Sequence, residues 1–247
     1  MDDATGTAPS GVAVQIDARS GYLCDAGLGV AAAVALFDAD GVAHAGRGRG
    51  AIRMVEVGGA RCVLRHYRRG GWAAKLSRDW FVWTGAESTR PFREFHITRR
   101  LQHAGLPVPT VVAARYLRAG LGYRADLATR EVIGARTLAE RLADGADAAR
   151  IDWAALGAML GAFHLHGLWH ADLNAHNVLY DGDDRALLID FDRARLLAPC
   201  ATLLQGNLDR LARSLRKLGH GACVAGQAWS ELHRAYDATT HRHTGSR

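Results

Sequence analysis

The chain has 247 residues and a mass of 26.6 kDa, and 49% of its residues are hydrophobic, so it can build one large domain or two small lobes. This composition excludes disorder as the overall state. The net charge is +6, and the excess lies between Arg61 and Arg100, where ten basic residues accompany three acidic ones. Such a segment is typical of proteins with an anionic partner: a nucleic acid, an acidic membrane or a phosphorylated substrate.

No segment resembles a signal peptide or a membrane span. Two aspartates follow Met1, and the longest apolar run, residues 26–37, is shorter than the ~20 residues that a bilayer requires. The four cysteines form no CxxC pair and indicate buried thiols in a reducing compartment; they are Cys24, Cys62, Cys200 and Cys223. We therefore expect a protein that stays in the cytosol or touches a membrane only from its surface.

The first half of the chain is predicted to be rich in strands. Residues 52–57 and 62–67 flank Gly58 and Gly59, and two such runs around a glycine pair predict a β-hairpin. A helix capped by Thr89 is expected to run to about residue 104. On that helix Glu94 lies on an otherwise apolar face, so it needs a buried cation as its partner. A further strand is predicted over residues 127–133.

The second half is predicted to be mainly helical. Residues 151–165 show the spacing of a buried helix face, and a polar loop follows at residues 170–177. Short strands are expected at residues 178–180 and 186–191. A strand-rich half followed by a helix-rich half predicts an α+β fold with two lobes.

The predicted boundaries treat the chain as one cooperative unit without repeats or linkers. Residues 1–20 and 238–247 lack apolar periodicity and are expected to fray. The strand-rich N-lobe is predicted to span about residues 21–132, and the helical C-lobe about residues 133–237.

Three side chains of the second half carry oxygen atoms that suit phosphoryl transfer. Asp172 and Asn177 stand five residues apart in the polar loop, and Asp190 follows a hydrophobic strand. At the ends of neighbouring elements they can converge, so that one carboxylate accepts a hydroxyl proton while the other joins the amide oxygen in holding Mg²⁺.

This segment resembles the protein-kinase-like fold. The pattern His170-Ala-Asp172-x-x-x-x-Asn177 resembles the catalytic loop H-R-D-x-x-x-x-N, and Asp190-Phe-Asp192 resembles the metal motif D-F-G. Ala171 and Asp192 depart from these motifs, which argues against control by a phosphorylated activation loop and against switching of the second turn. The resemblance implies a bilobal α+β fold, with an antiparallel sheet and one helix in the N-lobe and a mainly helical C-lobe. It also implies ATP and Mg²⁺ as cofactors, with Asp172 as the catalytic residue and Asn177 and Asp190 as metal ligands.

The same resemblance implies where the nucleotide phosphates bind. Arg65 takes the position of the usual strand lysine and is expected to pair with Glu94; Lys75 is the second choice for this cation. A glycine-rich loop over the phosphates would be formed by Gly46, Gly48 and Gly50. His170 is implied to brace the catalytic loop by hydrogen bonding, and not to bind a metal.

Within this fold the chain is similar to the bacterial 3-deoxy-D-manno-octulosonic acid (Kdo) kinases. The similarity extends from about residue 46 to residue 218. Besides the catalytic loop, its blocks are Arg65-His-Tyr-Arg-Arg-Gly-Gly71, Gly105-Leu-Pro-Val-Pro109, Ile189-Asp-Phe-Asp-Arg193 and the segment from Gly206-Asn-Leu-Asp-Arg210 to Lys217. The resemblance implies ATP-dependent phosphorylation of the 4-hydroxyl of a Kdo sugar on the lipid A precursor, at the cytoplasmic face of the inner membrane.

The composition of the basic segment supports an anionic membrane surface as a partner. Its cations alternate with aromatic side chains: Arg65, Arg68, Arg69, Lys75 and Arg78 lie among Tyr67, Trp72, Trp80, Phe81 and Trp83. Cations near an anionic bilayer contribute ~1 kcal/mol each, and amphipathic rings suit the headgroup layer. Aromatic rings that point into the core are an equally good explanation for any one of these residues.

Several alternatives remain open on sequence grounds. Another small-molecule kinase of the same fold, such as a heptose kinase or an aminoglycoside-type phosphotransferase, would share the catalytic motifs. Arg65 and Asp192 also allow a nucleotide-binding pseudokinase that acts as a scaffold. Arg210, Arg213 and Arg216 flank a leucine stripe and are either substrate contacts or a solvated helix face. The stripe is formed by Leu208, Leu211, Leu215 and Leu218. No nucleic-acid-binding module is recognisable, and no obligate protein partner is implied.

Overall fold

The computed structural model describes residues 11–39, 42–44, 52–68, 79–198 and 201–242. Gly46, Gly48, Gly50 and Lys75, to which the sequence assigns phosphate contacts, lie outside the described residues. The chain divides into two compact units: residues 1–99 with 110–131, and residues 100–109 with 132–247. Within the described part of the chain, no helix combines the length and the hydropathy needed to cross a bilayer.

The first unit is built on an antiparallel sheet. Its strands are β1 (Val12–Ile16), β2 (Ser20–Asp25), β3 (Val42–His44), β4 (Ile52–Val57), β5 (Ala60–His66), β6 (Phe81–Val82), β7 (Val111–Ala119) and β8 (Gly122–Arg130). They are ordered β1-β2-β7-β8-β5-β4-β3, and β6 also pairs with β8. The predicted β4–β5 hairpin is present, with Gly58 and Gly59 at positive φ in its turn.

The sheet of the first unit has apolar side chains on both faces. Helix α1 (Val30–Asp38) contributes Leu36 and Phe37 to one core cluster, while helix α2 (Arg90–His103) contributes Phe92 and Phe95 to the other. Because successive side chains of a strand point to opposite faces, β7 and β8 supply residues to both clusters. Strand β5, which carries Arg65, contributes Cys62 and Leu64 to the cluster that contains α1.

Some predicted boundaries were wrong. The N-terminal segment does not fray as far as residue 20, because β1 pairs along its length with β2 and buries Val12. The strand predicted at residues 127–133 instead runs from Gly122 to Arg130 and forms a hairpin with β7. At the other end, the last helix continues through residue 242 instead of fraying from residue 238.

The second unit is mainly helical. Its helices are α3 (Leu138–Ala143), α4 (Gly145–Ala148), α5 (Trp153–Leu165), α6 (Ala201–Lys217), α7 (Gly221–Ala225) and α8 (Gln227–Arg242). Its short strands are β9 (Arg136–Thr137), β10 (Leu168–Trp169), β11 (Val178–Tyr180), β12 (Ala186–Leu188) and β13 (Arg195–Leu196). Strand β11 lies between β9 and β12, and β10 pairs with β13. The polar loop between β10 and β11 is therefore held by strands at both of its ends.

Two glycines allow α5 and α8 to pack at very short range. A Cβ atom placed on Gly157 would lie 2.0 Å from the backbone oxygen of Leu232, and one on Gly161 would lie 3.0 Å from Cβ of Thr239. The two glycines are four residues apart and so share one face of α5. Next to this contact, the buried His164 shares a 2.8 Å hydrogen bond with the hydroxyl of Tyr236, and burial lowers the pKa of His164 to about 4.

A charged cluster spans the β5, β7 and β8 strands of the first unit. Nδ1 of His66 lies 2.7 Å from Oδ1 of Asp126, and Nε2 lies 3.3 Å from Asp79. Arg115 donates to the other oxygen of Asp126, and Arg124 forms an ion pair with Asp79. The hydrogen bond to Asp126 raises the pKa of His66, against the effect of burial. Burial alone would raise the pKa of Asp126, but the His66 hydrogen bond and the Arg115 charge lower it.

These shifts predict a pH-dependent contribution of His66 to the free energy of unfolding. Because its folded pKa is raised, the stabilisation is complete below the ordinary histidine pKa of about 6.5 and is lost as the pH rises through the folded value. The lowered pKa of Asp126 keeps that carboxylate charged throughout this window. Urea unfolding of the wild type and His66→Gln at several pH values should give a stability difference that shrinks from pH 6 to pH 9. A difference that stays constant with pH would refute this role.

Candidate active site

His170 connects the polar loop of residues 170–177 to Ile189, the residue before Asp190. We call this segment the catalytic loop, after the kinase motif that it resembles. Its ring is buried; Nε2 lies 3.0 Å from the backbone oxygen of Ile189, and Nδ1 accepts a 3.2 Å hydrogen bond from the backbone N–H of Asp172. A carbonyl oxygen only accepts, so Nε2 carries the proton and the ring is neutral. Burial lowers the pKa of His170 and favours this neutral form. The predicted bracing role therefore has a geometric basis.

Asn177 holds the backbone at Asp172. Its Nδ2 donates a 2.8 Å hydrogen bond to the backbone oxygen of Asp172, and Asn174 donates to the same oxygen at 3.1 Å. The Asp172 side chain is exposed and has no hydrogen-bond partner among the described residues. The result is a carboxylate on a fixed backbone, exposed to solvent.

Asp190 is joined to the same loop through its neighbour. The backbone N–H of Ile189 donates to the backbone oxygen of Asn177 at 3.1 Å. Asp190 itself has φ of 67°, a left-handed conformation that costs a non-glycine residue ~1–2 kcal/mol. Strain of this kind persists where the surrounding contacts impose it, often at functional sites. The structure thus brings Asp172, Asn177 and Asp190 around His170 within the second unit.

Side chains of helix α6 hold the backbone of the catalytic loop by hydrogen bonds. Asn207 Nδ2 donates to the backbone oxygen of His170 at 3.1 Å, and the Ser214 hydroxyl accepts from the backbone N–H of Ala175 at 3.1 Å. Between them, Arg210 donates to the backbone oxygen of Ala171 and lies over the Trp169 ring at 5.6 Å. These three positioning side chains were not predicted. The sequence does indicate them: Asn207, Arg210 and Ser214 are separated by three and four residues, so they share a polar helix face beside the leucine stripe.

In the first unit, the predicted pair of Arg65 and Glu94 is present. Glu94 is buried with 2% of its surface exposed, and it accepts hydrogen bonds from both Arg65 and the hydroxyl of Tyr67. The Arg65 guanidinium lies 4.6 Å above the Tyr67 ring, and 26% of its side chain remains exposed. Because the exchange of lysine for arginine keeps the charge and adds donors, Arg65 can hold Glu94 and still offer N–H groups to an anion.

The oxygen atoms of the loop suit a magnesium ion. The amide nitrogen of Asn177 is used by the Asp172 carbonyl, so the Oδ1 atom is the one available to a cation. Amide and carboxylate oxygens are hard donors, and Mg²⁺ is commonly bound by one or two protein oxygens together with substrate phosphates. Among the described residues there is no group of three His, Cys, Asp or Glu side chains arranged to hold a metal ion.

Comparison with known proteins shows the family. Residues 38–236 match the lipopolysaccharide kinase (Kdo/WaaP) family. The chain is 44% identical over 200 residues to a 3-deoxy-D-manno-octulosonic acid kinase of Stenotrophomonas maltophilia strain K279a, covering 80% of this chain and 79% of that protein. It is 45% identical over 192 residues to the corresponding kinase of Xanthomonas axonopodis pv. citri strain 306, covering 77% and 76%. The chain belongs to the Kdo/WaaP family of lipopolysaccharide kinases.

A solved structure confirms the fold of this Kdo/WaaP-family kinase. WaaP in complex with acyl carrier protein matches 83% of this chain and 81% of that chain, with a TM-score of 0.56 and 20% sequence identity. The predicted protein-kinase-like α+β fold is therefore confirmed. Family membership also shows that the protein is a phosphotransferase that uses ATP and acts on a sugar hydroxyl.

Proposed function

We propose that this kinase transfers the γ-phosphoryl group of ATP to the 4-hydroxyl of a Kdo residue on the lipid A precursor. The observation that carries the proposal is the identity of 44% to curated Kdo kinases over four fifths of the chain. The chemistry of the site also supports the proposal, because the exposed carboxylate of Asp172 lies on a backbone that Asn177 and His170 hold by hydrogen bonds.

In this proposal Asp172 orients the acceptor hydroxyl and takes its proton. Phosphoryl transfer depends mainly on alignment and charge stabilisation, so a base on a fixed backbone meets the first of these requirements. Arg65 neutralises phosphate charge, and the buried Glu94 keeps its guanidinium in place. Asn177 and Asp190 would hold Mg²⁺, which supplies positive charge to the phosphates when it is bound.

The experiment that tests the proposal compares two acceptors. Purified protein is incubated with labelled ATP, Mg²⁺ and either Kdo-bearing lipid A precursor or the same lipid without the sugar. We expect transfer only to the Kdo-bearing lipid, with the label at the 4-hydroxyl as located by NMR of the product. Transfer to both lipids, or to a different hydroxyl, would contradict the proposed acceptor and leave the family assignment unchanged.

We further propose that the turn end of the β7–β8 hairpin, in the first unit, contacts the anionic surface of the inner membrane. Three exposed apolar side chains lie on the strands and the turn at this end: Val82 is 68% exposed, Leu121 88% and Leu117 39%. Val82 is paired with Gly122 across β6 and β8, and Leu121 forms the turn that joins β7 and β8. A cavity of about 520 Å³ with Arg19 and Arg118 in its wall is adjacent and suits lipid phosphates.

This surface differs from the one that the aromatic residues of the basic segment predicted. Tyr67 and Phe81 are buried, and Trp83 packs against Tyr116 with ring centroids 4.9 Å apart, so these three rings belong to the core. Trp80 is only half-buried and lies over Gly122. Trp72, Arg69 and Arg78 lie outside the described residues.

A double substitution tests the membrane contact. Val82→Asp with Leu121→Asp removes two apolar anchors and adds charge that an anionic bilayer repels, so binding to vesicles containing phosphatidylglycerol should fall at least tenfold. Leu197→Asp with Leu218→Asp is the matched control, because both leucines are exposed apolar residues of the second unit. Co-sedimentation with vesicles measures both. Equal binding of the two double variants would eliminate this surface.

A further inference from the structure

A groove between α6 and α8 is lined by basic and aromatic side chains. Its volume is about 480 Å³, which lies within the range of small-molecule sites. The side chains that define it are Arg210, Arg213 and Arg216 of α6 and Trp229 and His233 of α8. We refer to it as the α6–α8 groove.

The charge of the groove is not neutralised within the described part of the chain. Arg210, Arg213 and Arg216 form no ion pair with a described carboxylate. The acidic residue in the lining is Asp209, and its carboxylate accepts a 3.2 Å hydrogen bond from the side chain of Gln205. Nε of Arg213 donates to the backbone oxygen of Asp209 at 3.3 Å, and not to its carboxylate. Three guanidinium groups on one helix face repel one another, and an anion bound among them would relieve that repulsion.

The groove adjoins the catalytic loop through Arg210. That side chain lines the groove and also donates to the backbone oxygen of Ala171, the residue before Asp172. Trp229 and His233 form the opposite wall, with ring centroids 5.3 Å apart. Aromatic faces pack against the apolar face of a sugar ring, while guanidinium groups pair with carboxylates and phosphates. The lining therefore combines the two kinds of contact that an acidic saccharide requires.

We propose that the α6–α8 groove is an acceptor subsite that binds an anionic group, a carboxylate or a phosphate, of the saccharide being phosphorylated. This inference rests on the proposed function, in which the acceptor is an acidic sugar on a glycolipid. Arg213 and Arg216 bind the anion, and Trp229 packs against the saccharide. The groove thus contributes to acceptor affinity and leaves ATP binding unaffected.

A charge-reversal pair tests the subsite. Arg213→Glu with Arg216→Glu should raise the KM for Kdo-bearing lipid A precursor at least tenfold, while the KM for ATP and the slow hydrolysis of ATP without acceptor stay within twofold of wild type. The control is Lys217→Glu with Arg234→Glu, which changes the net charge equally at exposed sites outside the groove. An acceptor KM that is equal in the two double variants would overturn the subsite.

A binding measurement separates this subsite from the proposed function. The affinity of micellar Kdo-bearing lipid A precursor is measured by isothermal titration for wild type and both double variants, without ATP. If wild type binds the lipid at least tenfold more tightly than Arg213→Glu/Arg216→Glu but transfers no phosphate to it, the subsite stands and the proposed function fails. If transfer occurs and the two double variants bind equally, the function stands and the subsite fails. If wild type does not bind the lipid, the subsite is overturned.

A dephosphorylated lipid A precursor that still carries Kdo identifies the source of the anion. If the loss of affinity in Arg213→Glu/Arg216→Glu persists with this lipid, the groove binds the sugar carboxylate. If the loss disappears, the groove binds a lipid phosphate.

Discussion

Replacing Asp172 with asparagine is expected to lower kcat by about 10²–10⁴-fold, the usual contribution of a positioned general base. The amide keeps the size of the side chain but cannot accept the proton of the acceptor hydroxyl. The fold should be unaffected, because the described hydrogen bonds at this residue all use its backbone N–H and carbonyl oxygen. The KM for ATP should change little.

Steady-state kinetics and thermal unfolding together check this prediction. Asp183→Asn is a suitable control, since Asp183 is an exposed carboxylate in the turn before β12 and outside the catalytic loop. We expect the control to retain wild-type kcat and both variants to retain the wild-type Tm. An Asp172→Asn enzyme with near-normal kcat would exclude Asp172 as the base, while a lowered Tm would show that the carboxylate supports the fold.

Among the substitutions proposed here, replacing Gly157 with alanine is expected to lower the free energy of unfolding most. The added Cβ would lie 2.0 Å from the backbone oxygen of Leu232, so α5 and α8 must move apart. Overpacking a close contact costs about 1–3 kcal/mol, and a clash with backbone should reach the upper end of that range. For a protein of this size, about 3 kcal/mol corresponds to a decrease in Tm of roughly 6–12 °C.

The matched control for this substitution is Gly206→Ala. Gly206 is also inside a helix, α6, but nothing lies within 4 Å of a Cβ at that position. Alanine is the better helix former by about 1 kcal/mol, so Gly206→Ala should raise the Tm slightly. Urea or thermal unfolding followed by circular dichroism measures both variants. Equal stability of Gly157→Ala and wild type would mean that the close contact between α5 and α8 contributes little.

The loop residues could be predicted from the sequence because the pattern is local. His170, Asp172 and Asn177 lie within eight residues, and their mutual hydrogen bonds follow from the loop itself. The pairing of Arg65 with Glu94 was also predictable, since an acid on an apolar helix face requires a cation. The roles of these residues in catalysis and in nucleotide and metal binding stay predictions.

The contacts that sequence patterns did not reveal join distant parts of the chain. Asn207 and Arg210 reach residues 37 and 39 positions earlier, and no local periodicity reports such a contact. Strand β1 was missed because five residues at the chain end give a weak alternation, and its pairing with β2 supplies the missing stabilisation. The glycines of α5 are visible in the sequence, but their partner helix is not.

The catalytic loop is anchored by main-chain atoms, and this has an evolutionary consequence. The carbonyl oxygens of residues 170, 171 and 172 and the N–H of Ala175 carry the bonds, and every amino acid except proline offers the same groups. Ala171 and His176 can therefore be replaced by other amino acids without displacing the backbone of Asp172. Substitutions at these two positions are therefore expected to be compatible with the same loop conformation.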